Sequence, residues 1–345
     1  RRLRPDVSAS LENAKSYIDS LLFDPKRLYL GDVGRYQLNK KLPEKYRKDM
    51  SEENYALSVM DIIGVVEKLL NINYGYVHVD DVDHLGNRRI RSVNELLGEV
   101  VIAAIKKIEK NTKDKMSLHS TDELLTASDV MSSRPLVTAF RDFFGSSQIS
   151  RYMSQKNVIA ELTNLRHITA AGPGGLTKDR ATFSVRDVHY SQYGRFCPVQ
   201  TPEGASIGVV NHLALYAKIN RYGFIEVPYR KVAKVVAVAD ALNRIAAEDI
   251  KSGKSTIVKT GTLITKAIAA ELKKAKVEQV NVRPFVTGEI VYMDADAENE
   301  VRLSPAIGNL DEYGNILDEQ VPMRFAANFY NGNVFDIDYI DVTPI

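Results

Sequence analysis

The spacing of apolar residues changes along this chain of 345 residues. In the first third they recur every three to four positions, the period that predicts amphipathic helices, and such helices are expected at Ser10–Leu22, Ser92–Lys110 and Ser133–Gly145. In the last third, Phe224–Ala239 alternates between apolar and polar residues as a strand does. The pattern therefore predicts an α+β fold of several domains, with a mainly helical first third, a mixed polar middle and a β-rich last third.

Local signals refine this prediction. Ser92 and Glu95 have the spacing of a capping box at the start of the second helix. The third helix is expected to bury its apolar face, which consists of Leu136, Phe140, Phe143 and Phe144. Further along, strands are predicted at Lys254–Val258 and Gln279–Val282, with a helix between them at Thr265–Lys276.

The formal net charge of +2 conceals opposed blocks. Residues 134–232 carry thirteen Lys and Arg against six Asp and Glu, whereas residues 288–345 carry two against twelve. The first fifty residues are also basic, with twelve against seven. The charge of each segment therefore tells more about partners than the total does. With 44% apolar and 26% charged residues, disorder is excluded for the bulk of the chain.

Several classes of protein are excluded by what the sequence lacks. The single cysteine, Cys197, permits neither an intramolecular disulfide nor a cysteine-based metal site. The best apolar run, residues 205–217, is too short for a membrane span and is interrupted by Asn211 and His212, so no membrane association is expected. The chain begins without a methionine or a signal peptide, which suggests a segment of a longer polypeptide.

Two loops contain residue types that are typical of metal or phosphate sites, but the spacing in each argues against such a site. His84 follows Asp80, Asp81 and Asp83, but adjacent loop positions seldom converge on one ion. A loop whose carboxylates pair with Arg88, Arg89 and Arg91 is the favoured interpretation.

The glycines of Gly172–Lys178 suggest a phosphate-binding loop, but Thr177 and Asp179 stand where that motif needs Gly and Ser or Thr. Glycines here would let the backbone pass close to something bulky, and a plain turn is an equal alternative.

The segment Gln148–Thr169 alternates polar and basic residues with apolar ones. Such a segment can line a groove for an anionic ligand, although a solvated face over a small core is favoured when these residues are taken alone. His189 lies eight residues from Cys197, and the sequence offers it no evident orienting carboxylate beyond Asp187, so a structural thiol is expected. These residues predict no catalytic residue and no metal site, and leave open a surface that faces nucleic acid or nucleotide.

Taken together, several stretches closely resemble the β subunit of bacterial DNA-directed RNA polymerase, in the order and with about the spacing of that family. The matching stretches are VGRY at 33–36, DDVDHLGNRRIRSV at 80–93, FFGSSQISRYM at 143–153, AGPGGL at 171–176, VRDVH at 185–189, YGRFCPVQTPEG at 193–204 and YGFIEVPYRKV at 222–232.

The resemblance implies three regions. Residues 1–130 correspond to part of the protrusion, residues 131–222 to the fork and rifamycin-pocket region, and residues 223–345 to a β-rich external module. The implied partners are template DNA, nascent RNA, nucleoside triphosphates and the β′, α, ω and sigma subunits, in the cytoplasm at the nucleoid. Magnesium would be held by β′, and catalytic lysines would follow Ile345, so this segment would hold no cofactor and be inert alone.

The resemblance also implies residues that face nucleic acid or nucleotide. The basic members would neutralise phosphates, and Glu203 would shape the wall near the incoming nucleotide. The glycines would let the backbone pass close to the RNA–DNA hybrid. The positions are Arg166, Lys178, Arg180, Arg186, Glu203, Gly172, Gly174 and Gly175. Alternatively, the same arginines pair with Asp179, Asp187 and Glu203.

A second set of positions corresponds to the rifamycin pocket of the family. The equivalents are Gln148, Arg151, Tyr152, Ser154, Asn164, His167, Thr169 and Ser206. The family usually has Gln, Asp and His where this chain has Arg151, Ser154 and Asn164. Loss of three contacts worth ~1 kcal/mol each would weaken drug binding by on the order of a hundredfold, so rifamycin insensitivity is expected.

The chain also departs from the family in length. The 57 residues from 233 to 289 replace a much shorter connection, and they resemble a small β-rich module of the β′ subunit. A surface insertion with no role in chemistry is the alternative. The competing function for the whole chain is a non-catalytic scaffold whose acidic last block docks a basic protein, with the basic middle completing the fold.

Overall fold

The computed structural model describes residues 10–118, 126–177, 180–252, 255–306 and 308–343. The chain separates into two units, residues 1–82 and residues 83–345. Within the described residues, no helix is both long and apolar enough to cross a bilayer.

In the first unit, the described residues form three α-helices, α1 (Leu11–Leu22), α2 (Gly31–Lys41) and α3 (Val59–Asn73). The predicted first helix is confirmed, and Ser10 caps it by accepting a hydrogen bond from the Asn13 amide at 3.2 Å. A capping box between Ser58 and Asp61 starts α3.

A buried ion pair joins α2 to α3. Arg35 and Asp61 are both 0% exposed, and two guanidinium nitrogens reach the carboxylate at 2.8 and 3.1 Å. Arg35 also donates to the carbonyls of Asn54 and Ala56, at 2.6 and 2.9 Å. Burial disfavours the charged carboxylate, but hydrogen bonds from Arg35 and Ser58 outweigh it and lower the pKa of Asp61. The arginine of the VGRY motif therefore has a structural role.

The helices of the second unit are α4 (Val93–Leu118), α5 (Ala127–Val130), α6 (Arg134–Gly145), α7 (Val158–Leu165), α8 (Phe183–Arg186), α9 (Lys266–Lys274) and α10 (Ala295–Glu298). The predicted helices at 92–110, 133–145 and 265–276 are confirmed, and α4 runs eight residues past its expected end.

Two local predictions about these helices are wrong. Glu95 does not close a capping box, because its carboxylate accepts hydrogen bonds from Arg89 and Arg91 instead. Phe140 and Phe144 remain 37% and 57% exposed, because α6 packs on α4 along one side only among the described elements. An amphipathic face thus forms without full burial.

The structure gives partners to several charged residues of the loop before α4. Asp80, in the first unit, bonds Lys41 and Lys68 at 2.8 and 3.3 Å. Within the second unit, Arg89 and Arg91 bond Glu95.

A seven-stranded sheet forms the framework of the last third. Its strands are β3 (Lys218–Ile219), β4 (Ile225–Ala237), β7 (Gln279–Met293), β8 (Leu303–Ser304), β9 (Gln320–Phe325), β10 (Asn328–Asn333) and β11 (Tyr339–Asp341). The order is β10-β9-β8-β11-β4-β3, and β7 pairs antiparallel with β4. Tyr229, Leu303 and Met323 lie in its core, at most 2% exposed.

Residues 238–285 form a module at the end of the ribbon made by β4 and β7. A hairpin of β5 (Ile250–Ser252) and β6 (Ser255–Val258) and the helix α9 enclose a hydrophobic cluster of its own. Ile264, Leu272 and Val282 are 0% exposed within it. The strand predicted at 254–258 is confirmed over Ser255–Val258, and Lys254 lies outside the described residues. The strand predicted at 279–282 is confirmed and extends to Met293.

Candidate nucleic-acid interface

A short two-stranded sheet organises the polar middle of the chain. β1 (His167–Thr169) pairs antiparallel with β2 (Val210–His212), which places His167 opposite His212 and Thr169 opposite Val210. Cys197 extends this contact, since its amide donates to the His212 carbonyl at 2.8 Å. The pairing draws the segment 148–169 against the loop 195–213, which sequence reasoning had treated separately.

Arg166 joins the segment 148–169 to the loop 195–213 through hydrogen bonds. It lies directly after α7, and its guanidinium donates to the carbonyls of Leu213 (3.2 Å), Ala214 and Leu215 (3.1 Å). Its own carbonyl accepts from the Leu213 amide at 2.9 Å. The structure therefore gives Arg166 a positioning role, and the donors that bond these carbonyls are not directed at a phosphate.

Arg186 has the same kind of role at the next turn. Its guanidinium donates to the carbonyls of Ala205 and Ile207, at 2.7 and 2.9 Å, and so holds the 3₁₀ turn at residues 204–206. Gly208 has a φ of +70°, and a Cβ there would lie 2.3 Å from the Arg186 carbonyl oxygen. Among the described residues, no ion pair joins Arg166 or Arg186 to Asp187 or Glu203, and Asp179 lies outside the described residues. Sequence reasoning missed the carbonyl contacts because a backbone carbonyl has no sequence signature.

The other charged candidates differ in whether the structure describes them and in how exposed they are. Arg180 is exposed beside the start of α8. Glu203 is exposed directly before the turn that Arg186 holds. Lys178, with Asp179, lies outside the described residues. Among the described candidates, Arg180 therefore offers the most accessible cation.

Backbone conformation and close contacts within this chain explain why glycine stands at positions 172, 174 and 175. Gly172 and Gly174 have φ values of +138° and +73°, which favour glycine. A Cβ on Gly174 would lie 2.6 Å from a guanidinium nitrogen of Arg91, and one on Gly175 would lie 2.4 Å from the Ala170 carbonyl oxygen. The close approach is made by atoms of this chain, so the glycines do not by themselves indicate a ligand.

Two of the rifamycin-pocket equivalents meet directly. A guanidinium nitrogen of Arg151 lies 2.9 Å from Nε2 of His167, and the rings of His167 and His212 pack edge to face at 5.1 Å. Burial, with smaller contributions from Arg151 and His212, lowers the pKa of His167. The imidazole is therefore neutral at pH 7 and can accept the hydrogen bond from Arg151.

Among the described residues, no hydrogen bond or ring contact joins the remaining equivalents to one another. Gln148 and Tyr152 are exposed, the tyrosine fully so. Four others are half-buried: Ser154, Asn164, Thr169 and Ser206. Thr169 accepts a hydrogen bond from the Ala171 amide at 3.1 Å, which fixes the start of the glycine loop.

A buried charge network anchors this region to the large sheet, and sequence reasoning did not find it. Arg195, 0% exposed, donates to the carbonyls of Ile225 and Met293 at 3.0 and 3.2 Å. It also contacts Glu298 of α10 at 2.5 Å, and Glu298 in turn bonds Arg324 of β9. The only sequence signal was an arginine inside the YGRFCPVQTPEG stretch.

Comparison with known proteins shows what the sequence of this chain is similar to. Family models match residues 1–91 ("RNA polymerase Rpb2, domain 2"), 151–219 ("RNA polymerase Rpb2, domain 3") and 275–343 ("RNA polymerase beta subunit external 1 domain").

Relatives described as DNA-directed RNA polymerase subunit beta match the chain nearly end to end. The protein of Dehalococcoides mccartyi is 40% identical over 99% of this chain, that of Chloroflexus aggregans 39% over 100%, and that of Trichormus variabilis 38% over 100%. The chain spans 26–32% of the length of these relatives. It belongs to the family of bacterial RNA polymerase β subunits.

Proposed function

We propose that the chain is the part of a DNA-directed RNA polymerase β subunit that lines the RNA–DNA hybrid and the nascent RNA path beside the active centre. The observation that carries the proposal is the continuous match of the chain to β subunits, including the fork-like region 151–219. The excess of basic residues in 134–232 supports it, because a polyanion is the partner that such a surface favours. The regions 1–130, 131–222 and 223–345 belong to the same proposal.

In this role the segment binds and positions nucleic acid and contributes no catalytic group of its own. The described residues bring together no group of three His, Cys, Asp or Glu side chains suited to a metal, so no metal-dependent step is assigned to them. The magnesium ion is assigned to the β′ subunit. DNA, RNA, nucleoside triphosphates and the α, ω and sigma subunits are the further proposed partners, at the nucleoid.

The structure divides the proposed contacts into two kinds. Arg180, which is exposed, would bind a phosphate directly, and Lys178 is assigned the same role from sequence. Arg166 and Arg186 act by holding the adjoining loops in place. Gly172, Gly174 and Gly175 would shape the loop that faces the hybrid, and Glu203 would act near the incoming nucleotide.

The test is the salt dependence of elongation-complex stability in the intact polymerase. Arg180→Ala should reduce the slope of log stability against log salt by about 0.7–0.9, the contribution of one phosphate contact. Lys266→Ala, an exposed lysine of the module at 238–285, is the matched control and should leave the slope unchanged. Equal slopes for Arg180→Ala and the unaltered enzyme would contradict direct phosphate binding.

Rifamycin insensitivity belongs to the same proposal. Arg151 is exposed and contacts His167, so it adds bulk and charge to the position that the family fills with Gln. The triple variant Arg151→Gln, Ser154→Asp, Asn164→His should become sensitive by on the order of a hundredfold. Inhibition of the unaltered enzyme by nanomolar drug would contradict the proposal.

A scaffold function is the second candidate. It is favoured by the contacts of Arg166 and Arg186, since basic residues bonded to backbone carbonyls help to complete a fold. In that case the chain would capture another subunit and show no affinity for an RNA–DNA hybrid. Hybrid binding at low salt that is lost at moderate salt favours the first proposal instead.

A further inference from the structure

A groove between α4 and α6 contains a cavity of about 770 Å³. Both helices belong to the second unit, and they pack against each other. The lining residues of α4 recur every three to four positions and so share one face: Val100, Ala104, Lys107, Asn111 and Lys115. At a rise of 1.5 Å per residue, this face extends for about 22 Å. The groove is therefore long enough to accept a further helix of about four turns.

Small and apolar side chains form the less exposed part of the lining. Ala104 is 5% exposed, and Pro135, Ala139 and Phe143 of α6 are half-buried. Small side chains let a neighbouring helix approach to the usual distance of about 8–10 Å between helix axes. Among the described residues that line the groove, only Phe143 is aromatic, so few bases could stack there. The lining therefore suits the apolar face of a helix better than it suits a nucleic-acid strand.

The lining itself carries a positive charge. Lys107, Lys115 and Arg134 are exposed cations, and Asp142 is the one carboxylate among the described lining residues. Lys115 donates to the Asp129 carbonyl at 3.2 Å, and this acceptor does not neutralise its charge. Within the part of the chain that the structure describes, neither Lys107 nor Arg134 has a carboxylate partner. These cations are therefore available to a partner that supplies carboxylates.

Two of the cations lie toward the same end of the groove. Because Lys115 bonds the carbonyl of Asp129, the C-terminal end of α4 lies beside the segment that leads into α6. Arg134 is the first residue of α6, whereas Asp142 follows eight residues later, about 12 Å further along the helix. A docked helix can therefore place carboxylates at this end without approaching Asp142.

We propose that the groove between α4 and α6 binds an acidic amphipathic helix of a partner protein. The apolar face of that helix packs on the small and apolar side chains of the groove, and its carboxylates pair with Lys107, Lys115 and Arg134. Charge complementarity favours an acidic helix over a basic one. The inference does not rest on the hybrid-facing function proposed above.

The test uses intact polymerase and a fluorescein-labelled peptide with blocked ends, EALEELLEALEELLEA, whose leucines recur on one helical face. A second peptide of the same composition, EALLELLELAELEEEA, distributes its leucines around the helix. Fluorescence anisotropy measures the binding of both. The first peptide should bind at least about tenfold more tightly, because only the first can bury its leucines together. Equal binding of the two peptides, or no binding of the first, would overturn the proposal.

Variants of the rim test the ion pairs. The double variant Lys107→Gln, Arg134→Gln should weaken binding of the first peptide about tenfold, because each exposed ion pair contributes up to about fivefold. Lys106→Gln, Lys110→Gln is the matched control, since it removes two positive charges from exposed positions of α4 that do not line the groove. If the two double variants weaken binding equally, the attraction is general and the proposal fails.

A substitution inside the groove locates the peptide. Ala103 is an exposed lining residue of α4, and glutamate is a good helix former, so Ala103→Glu should fold. The added carboxylate should weaken binding of the first peptide about tenfold. Unchanged binding would place the peptide elsewhere and contradict the proposal. If the peptide does not bind but Lys107→Gln, Arg134→Gln lowers the salt slope of elongation-complex stability, the groove binds nucleic acid and the proposal is likewise wrong.

Discussion

Replacing Glu298 by Gln should destabilise the large sheet more than any exposed substitution near it. Glu298 is 4% exposed and lies between two buried cations, Arg195 at 0% and Arg324 at 5%. The substitution removes the negative charge that both guanidinium groups share and leaves two like charges close together. Breaking a buried pair in this way costs about 3–5 kcal/mol.

The structure places the expected value at the lower end of that range. Arg195 keeps its hydrogen bonds to the carbonyls of Ile225 and Met293, and Arg324 keeps its bond to Tyr229. The glutamine oxygen can still accept from one of the two arginines. We therefore expect a loss of about 3 kcal/mol, which is on the order of a hundredfold in the equilibrium between folded and locally unfolded states.

Amide hydrogen exchange is the suitable assay, because a chain of several domains need not unfold in one step. The protected amides of β9 and β11 should exchange faster in Glu298→Gln by that factor. Glu300→Gln, two residues away and exposed, is the control and should change exchange little. The double variant Glu298→Gln, Arg324→Met should recover part of the loss, since it removes one of the two unpaired charges.

The reasoning would be refuted by a Glu298→Gln variant whose β9 and β11 amides exchange within about 0.5 kcal/mol of the Glu300→Gln control. In that case the carbonyl contacts of the arginines would hold the sheet without the carboxylate. A double variant less stable than Glu298→Gln would also contradict it, because the repulsion between the two cations would then be unimportant.

Three further predictions concern other parts of the fold. The pKa of Glu95 is lowered from 4.5 to about 2, chiefly by a hydrogen bond from Arg89. The ionised carboxylate therefore stabilises the start of α4 above pH 4.5, and this stabilisation is lost as the pH falls toward 2. A titration midpoint of Glu95 near 4.5, measured by NMR, would contradict this prediction. Gly208→Ala should destabilise by about 2 kcal/mol or more in thermal unfolding, because of its positive φ and the close carbonyl, whereas Gly98→Ala within α4 should stabilise by up to about 1 kcal/mol. Leu272→Ala should cost about 2–5 kcal/mol, and faster hydrogen exchange should be confined to residues 238–285 if the module has an independent core.

The elements that sequence predicted well are those whose apolar pattern is set locally. α1, α6 and α9 begin and end within two residues of the expected positions, because capping residues and periodicity act over a single turn. Burial was harder to predict, as Phe144 shows: its helical spacing is correct, but its exposure depends on which element packs there. A pattern specifies a face and leaves its partner undetermined.

The candidate site was harder to predict than the helices, because its geometry depends on contacts between residues that are distant in sequence. β1 and β2 lie about forty residues apart in sequence, and nothing in either triplet indicates the other. The sequence singled out Arg166 and Arg186 as phosphate-binding cations, but the acceptors of their guanidinium groups are main-chain carbonyls, which any residue supplies. Side-chain identity therefore predicted where the charges are and gave no information on what they bind.

What the charged side chains bind also changes how the basic block at 134–232 and the acidic block at 288–345 are interpreted. Arg166, Arg186 and Arg195 count toward the basic excess of residues 134–232, yet the structure directs their guanidinium groups at carbonyls or at Glu298. Glu298 and Asp341 count toward the acidic block, yet both are buried. A partner meets the exposed charges, and Arg180 is one of several exposed cations in this block; others are Arg134, Arg141, Arg151, Lys156, Lys218 and Arg221. If these side chains share a contact with nucleic acid, each single substitution should change the salt slope by about the 0.7–0.9 that one phosphate contact contributes.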